Sequence, residues 1–292
     1  MSRILDMVSL LRPKHYIKNV FIVLPLFFSG QITNIQALIV LGWAFISFSL
    51  AASAVYIFND AIDLPLDSRH PRKKLRPLAS GRVSLKQAYF VMSVVLLLSL
   101  YLMVALSLQA FLLLLLYLLS NVAYSLVLKR VAIIDVIIVA SGFVIRLVVG
   151  AIITGTVLTP WIVIMTFLLC IFLALAKRRD DVLIYVNSGE KMRCSVQGYS
   201  LAFIDGVMMM MAAVIIVSYI MYTTSLDALG GRFQGSLYYS SFFVILGLLR
   251  YLQITFVESD SGSPTRLLYT DSFLQISIIG WLFTYVFFIY FL

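Results

Sequence analysis

Apolar residues run in long stretches along this chain, and polar residues gather in the short breaks between them. Nine such stretches stand out, at about 18–31, 36–58, 85–106, 109–127, 132–153, 159–177, 202–223, 237–254 and 273–291. Most approach the roughly 20 residues that an α-helix needs to cross the hydrocarbon of a bilayer. Within that layer a backbone must satisfy its own hydrogen bonds, so stretches of this length predict helices. The first is short and contains Pro25, which predicts a tilted or broken crossing. Ahead of it, residues 1–18 interleave Ile4, Leu5, Val8, Leu10 and Leu11 with Arg3, Arg12, Lys14 and Lys18. That pattern predicts an amphipathic helix lying on the membrane surface, broken at Arg12-Pro13.

Composition removes the soluble alternative. The chain has 292 residues, of which 62% are hydrophobic and only 12% charged, with a mean hydropathy of +1.03. A soluble fold of this size could not cover its core with so few charges. The expectation is an all-α membrane protein with nine transmembrane helices, one polytopic domain spanning 1–292. The basic residues set its orientation. Alternate breaks hold Arg3, Arg12, Lys14 and Lys18; then Arg69, Arg72, Lys73, Lys74, Arg76, Arg82 and Lys86; then Lys129 and Arg130; then Lys177, Arg178, Arg179, Lys191 and Arg193; then Arg250 and Arg266. These are 20 of the 22 Lys and Arg. So lopsided a split predicts a multi-pass protein of the plasma membrane, with a cytoplasmic N-terminus and the C-terminus outside. The net charge of +9 sits in these breaks, so no nucleic-acid partner is expected. Cys170 falls inside a stretch and Cys194 in a break, which argues against a disulfide, and the N-terminal region lacks the pattern of a cleavable leader. A homo-oligomer is compatible with the pattern.

The chemistry concentrates in one break. From Asn59 the chain reads Asn-Asp-Ala-Ile-Asp-Leu-Pro-Leu-Asp, and a dense basic segment follows through Arg82. Carboxylates can hold a divalent cation, and cations with lysines and arginines can hold phosphates. On a helix Asn59 and Asp63 share a face, with Asp60 beside them. Pro65 ends the helix near Asp63 or Leu64, and Asp67 then sits on a turn able to fold back. Oxygen ligands without a His or Cys set favour Mg²⁺ over zinc. Asn59, Asp60, Asp63 and Asp67 are therefore the candidate metal ligands. His70 is either a phosphate contact or a structural histidine at the interface. Arg146 lies well inside the fifth stretch, where a charge costs about 2.5–3.5 kcal/mol to insert. It is expected to bind phosphate or to pair with Asp135 or Asp205.

Asn59-Asp60-x-x-Asp63-x-x-x-Asp67 resembles the first aspartate-rich motif of the UbiA superfamily of intramembrane prenyltransferases, whose members have nine transmembrane helices and bind a diphosphate through Mg²⁺ at the cytoplasmic side. The flanks narrow the likeness. Arg12-Pro13 with Lys18-Asn19 is similar to the decaprenyl-phosphate phosphoribosyltransferase branch. So is Asp67-x-x-His70-Pro71-x-Lys73-x-x-Arg76-Pro77-Leu78-Ala79-x-Gly81. Tyr124 through Lys129, Asp135 through Arg146, and Ala176-Lys177-Arg178 continue it. The resemblance implies a UbiA-type helix bundle, with residues 59–84 and 177–201 as cytoplasmic loops carrying the active site. It implies transfer of 5-phosphoribose from 5-phosphoribosyl 1-pyrophosphate to a polyprenyl (decaprenyl) phosphate with release of pyrophosphate, in lipid-linked sugar synthesis for the cell envelope. Asp60, Asp63, Lys18 and Lys129 are then the expected catalytic residues. Asn59, Lys18, His70, Lys73, Lys74, Arg76, Tyr124, Lys129, Arg146, Lys177 and Arg178 would bind substrate.

Two other readings compete. An aromatic or other UbiA-type prenyltransferase would need a second aspartate-rich motif, for which only Asp180 and Asp181 stand after the sixth stretch, behind three cations. Arg179 needs no more than the orientation rule to explain it. A transporter would need ionisable groups near the midplane and paired interrupted helices, and the polar clusters instead crowd toward one side.

Overall fold

The computed structural model describes residues 2–68, 73–188, 196, 198–225, 236–259 and 264–291. All regular structure among these residues is helical: α1 (Ser2–Leu11), α2 (Leu24–Phe28), α3 (Ile35–Ile62), α4 (Leu64–Asp67), α5 (Leu85–Leu106), α6 (Leu108–Leu126), α7 (Ile134–Thr154), α8 (Pro160–Ser188), α9 (Leu201–Thr224), α10 (Ser241–Phe256), α11 (Pro264–Thr270) and α12 (Ser272–Tyr290), with short 3-10 segments between some of them. Among the described residues, eight helical segments are long and apolar enough to cross a membrane. They coincide with the second to ninth predicted stretches. On α5, Phe90, Leu97 and Tyr101 stand 71%, 67% and 67% exposed, an outward apolar face suited to lipid rather than water.

The first predicted stretch takes another form. Residues Pro13–Ile22 make a 3-10 helix, and Leu24–Phe28 a single short α-turn that includes Pro25. Arg12 enters it with φ 55, ending α1 as the Arg-Pro dipeptide predicts. The 3-10 geometry has a packing reason. Three residues of a 3-10 helix and four residues of an α-helix both rise about 6 Å. Tyr16, Asn19 and Ile22 therefore form one row that matches the Ser53–Ser49 spacing on α3. Tyr16 Oη hydrogen-bonds Ser53 Oγ at 2.9 Å, and Asn19 Nδ2 donates to Ser49 Oγ at 2.8 Å. Gly150 of α7 completes the fit. A Cβ there would lie 1.9 Å from the Ile22 carbonyl oxygen, so only glycine admits this backbone.

The chain divides into two compact units. The first comprises Met1–Phe27, Gln31–Leu128 and Ile145–Val157. Its centre is α3, packed on α5, α6, α1 and the 3-10 helix. Small residues Ala51, Ala52, Ser53 and Ala54 let neighbours approach α3 closely. Ser47 and Ser99 exchange reciprocal 2.8 Å hydrogen bonds to each other's carbonyls, joining α3 to α5. The second unit comprises Phe28–Gly30, Lys129–Val144 and Leu158–Leu292. In it α8 packs on α9, and α10 on α12 and α9.

α8 runs eleven residues past its expected end at 177, through Ser188. Lys177 to Asp181 are thus helical, not part of a loop. The reason is that two arginines on this turn are buried and satisfied, as described below.

Candidate active site

In the first unit, α3 ends as its sequence dictates. Pro65 cannot continue the ladder, and Asp63 becomes the C-cap, its N–H bonding the Asn59 carbonyl. The four-residue α4 then turns Asp67 back toward α3. Asp60 and Asp67 are 4% and 2% exposed. One guanidinium bridges them: Arg76 Nη1 stands 3.0 Å from Asp60 Oδ1 and also donates to Asp67 Oδ2. Arg12 donates to Asp60 from the other side and lies over the Tyr56 ring. Lys73 Nζ is 3.7 Å from Asp67. Two buried carboxylates thus share a ring of cations at the end of α3.

A second cluster lies along the 3-10 helix of the same unit. Arg146, 5% exposed, donates from Nε to Asn19 Oδ1 at 2.7 Å and from Nη2 to Tyr117 Oη at 3.1 Å. Its guanidinium lies 4.8 Å from the centroids of both Phe48 and Tyr117. Arg146 and Gly150 are four apart on α7, so the close approach at Ile22 is what delivers Asn19 to Arg146. Lys18, half-buried on the adjoining face, is near enough to Arg146 and Arg12 to feel their repulsion. Among the described residues it makes no hydrogen bond or ion pair. The expected pairing of Arg146 with Asp135 is corrected: eleven residues of helix separate them by about 16 Å. Asp135 is held by Arg178 in the second unit.

That unit gathers a third cluster. Asp135, fully buried in the first turn of α7, accepts from Arg178 Nε at 2.6 Å and from Tyr199 Oη at 2.6 Å. Arg178 Nη1 also reaches Asp181 at 3.3 Å. Burial, and then the hydrogen bond to Asp135, push the Tyr199 hydroxyl above its ordinary pKa, so it stays a donor. Arg179, which the orientation rule alone seemed to explain, is 7% exposed; it donates to Asp205 at 2.7 Å and to the Thr255 carbonyl at 2.7 Å.

Of the other predicted site residues, Asn59 and Asp63 are half-buried at the end of α3, Tyr124 is half-buried on α6, and Lys129 is half-buried in the 3-10 turn Leu128–Arg130. Lys74 and Lys177 are exposed. His70 lies outside the described residues. Sequence reasoning missed Arg12 as a carboxylate partner, and Asn19 and Tyr117 as partners of Arg146. The available signal was polarity inside an apolar stretch, which Asn19 and Tyr117 both show.

Could these residues hold magnesium? The ion takes hard oxygen donors. Asp60 and Asp67 offer two buried carboxylates that already share one positive group, so the charge demand and the donor chemistry fit. Among the described residues no three His, Cys, Asp or Glu side chains gather as a metal-holding group. Asp63, half-buried at the C-cap of α3, stands between Asp60 and Asp67 in the chain as a further oxygen donor.

The chain matches the model of the UbiA prenyltransferase family over residues 20–290. It is 29% identical over 293 residues to a decaprenyl-phosphate phosphoribosyltransferase of Corynebacterium glutamicum, covering 97% of this chain and 86% of that one. A protein of the same name from Mycolicibacterium smegmatis is 28% identical over 291 residues, covering 94% and 90%. Its fold is shared by a UbiA homologue from Archaeoglobus fulgidus bound to GPP and Mg²⁺, with a TM-score of 0.70, 19% identity and coverage of 96% and 98%. An all-helical fold, an aspartate-rich end to α3 and a family match across nearly the whole length lead to one conclusion: the chain belongs to the UbiA prenyltransferase family and is a transferase enzyme.

Proposed function

We propose that the protein transfers 5-phosphoribose from 5-phosphoribosyl 1-pyrophosphate to a polyprenyl phosphate, such as decaprenyl phosphate, releasing pyrophosphate. The observation that carries this reading is the crowding of cations at the end of α3: Arg12, Arg76 and Lys73 surround the buried Asp60 and Asp67 of the first unit. Cations in this number suit a reaction in which three phosphate groups meet. The names of the Corynebacterium and Mycolicibacterium relatives support it.

Asp60 and Asp67, with Asn59 and Asp63 on the same helix end, would hold Mg²⁺. Bound there, the ion would neutralise charge on the departing pyrophosphate. The residues do the rest. Arg12, Arg76, Lys73 and Lys74 line the stretch that receives the sugar's phosphates. Lys18, Arg146 and Tyr124 would hold a phosphate in the first unit, and in the second unit Lys129 and Lys177 are proposed as phosphate ligands in their own right. The C1–oxygen bond to pyrophosphate breaks, with the bonding pair leaving on pyrophosphate. A phosphate oxygen of the lipid then bonds C1, through a transition state with oxocarbenium character. A phosphate monoester is mostly dianionic at neutral pH, so no strong general base is needed.

The competing prenyl-diphosphate reading has less support. Its second metal motif would draw on Asp181, which is buried and accepts from Arg178. We also propose that residues 13–28 form the ninth crossing. Ten 3-10 residues at about 2 Å each, then one α-turn, cover nearly the hydrocarbon thickness. With nine crossings, the whole chain acts as one polytopic domain of the plasma membrane, N-terminus and active site cytoplasmic and C-terminus outside. Incubating purified protein with Mg²⁺, polyprenyl phosphate and labelled phosphoribosyl pyrophosphate tests the reaction. Label should enter the lipid phase; its absence there, with product formed from a prenyl diphosphate instead, would select the other reading.

A further inference from the structure

Ile133 has φ 72, a left-handed conformation that a β-branched residue rarely adopts. Such backbone persists only where its surroundings impose it. Here two consecutive residues from a distant part of the second unit do so. Gly198 presses on Ala132 so closely that a Cβ at 198 would lie 2.5 Å from the Ala132 Cβ. Tyr199, 8% exposed, accepts the Ile133 N–H at its hydroxyl oxygen, 2.7 Å away. The same hydroxyl donates to Asp135, and Asp135 in turn holds Arg178 of α8. One oxygen thus joins the strained end of the turn that follows Lys129 and Arg130 to the first turn of α7, and Asp135 carries the link on to the turn of α8 that holds Arg178.

We infer that Tyr199 is a positioning residue, a latch that fixes the turn bearing Lys129 to the Arg178 turn of α8, so that Lys129 meets phosphate in one geometry. The role of Lys129 rests on the function proposed above; the latch itself does not. Without the hydroxyl, the Ile133 N–H and the buried Asp135 would lose this hydrogen bond, and the left-handed backbone would lose one of its two restraints. Gly198 is the other. Its lack of a side chain is what lets residue 199 reach residue 133.

The test uses the full-length protein in detergent or nanodiscs. Tyr199→Phe keeps the ring and removes the hydroxyl. Hydrogen exchange of the peptide covering 128–135 should quicken at least tenfold while α5 and α6 are unchanged. Unchanged exchange at 128–135 would overturn the latch, whatever the reaction proves to be. Faster exchange in a protein that transfers no phosphoribose would uphold the latch and defeat the proposed function. For the action through Lys129, Tyr199→Phe should lower kcat/KM about tenfold in the wild-type background and have no further effect in Lys129→Gln. Multiplying effects, or a fully active Lys129→Gln, would overturn it. If Tyr199→Phe fails to fold, steric exchange serves instead. Gly198→Ala should quicken exchange and lower kcat/KM, and adding Ala132→Gly, which makes room for the new methyl, should restore both. Failure of that rescue would count against the keyed contact.

Discussion

Arg146 and Arg178 are both arginines buried in apolar helices, one in each unit, and they are satisfied in different ways. Arg178 is matched to carboxylates, Asp135 and Asp181. Arg146 is held by an amide oxygen, a phenol and two aromatic faces, with Lys18 close by. A buried ion pair cancels its own charge and is a device for holding helices in place. A guanidinium held by dipoles and rings is an arrangement suited to receiving an anion. The same residue type therefore serves architecture in the second unit and, on our reading, substrate in the first. Arg76 combines the two: it bridges Asp60 and Asp67 while lying where phosphates are expected.

Mutations separate these roles, and the largest effect belongs to the carboxylates. Asp60→Ala and Asp63→Ala should each lower transfer by roughly a thousandfold while the protein still purifies as a folded species. Near-normal turnover in either would remove that residue from the metal assignment. Next comes the direct contrast. Arg178→Met should cost about 3–5 kcal/mol in unfolding free energy, because the fully buried Asp135 loses its guanidinium partner. Adding Asp135→Leu should recover most of it. Arg146→Met should leave thermal unfolding much less affected and lower kcat/KM roughly a hundredfold. If the two single variants behaved alike, the distinction between the arginines would collapse. A smaller effect tests how Asn19 reaches Arg146. Gly150→Ala should push the 3-10 helix off α7, destabilise by about 1–3 kcal/mol and raise KM.

The mildest effect concerns pH. Hydrogen bonding to Arg250 holds the Asp271 carboxyl below its ordinary value of 3.8. A depressed carboxyl stabilises the fold above the unfolded value, and that contribution fades as pH falls through the folded one. Stability measured at pH 5 and pH 3 should show a slightly smaller acid loss in Asp271→Asn than in wild type.

Much of this was legible in the sequence, and the exceptions share a cause. Eight of the nine predicted stretches are long apolar helices, because hydropathy and length report the bilayer directly. The turn back at Asp67 was legible from Pro65, since a proline's effect is local. The 3-10 form of Pro13–Ile22 was not, because it depends on Ser49, Ser53 and Gly150, which lie on other helices. The continuation of α8 was hidden for the same reason. Lys177-Arg178-Arg179-Asp180-Asp181 looks like a solvated break until Asp135, Asp205 and Thr255 are seen to bury its arginines. Arg12 and Arg76 likewise need the folded chain to reveal that they share Asp60.

On our reading the first unit brings a sugar pyrophosphate to a lipid phosphate, using the Asp60–Asp67 carboxylate pair, its ring of cations and the buried Arg146. The most direct test of this reading is the mass of the lipid-phase product made by purified protein from polyprenyl phosphate and phosphoribosyl pyrophosphate, with and without Mg²⁺. The lipid should be heavier by one 5-phosphoribosyl group, formed only with the metal and sharply reduced in Arg146→Met. A lipid phosphate that stays unmodified, or a product that forms equally well without the metal or without Arg146, would contradict that reading.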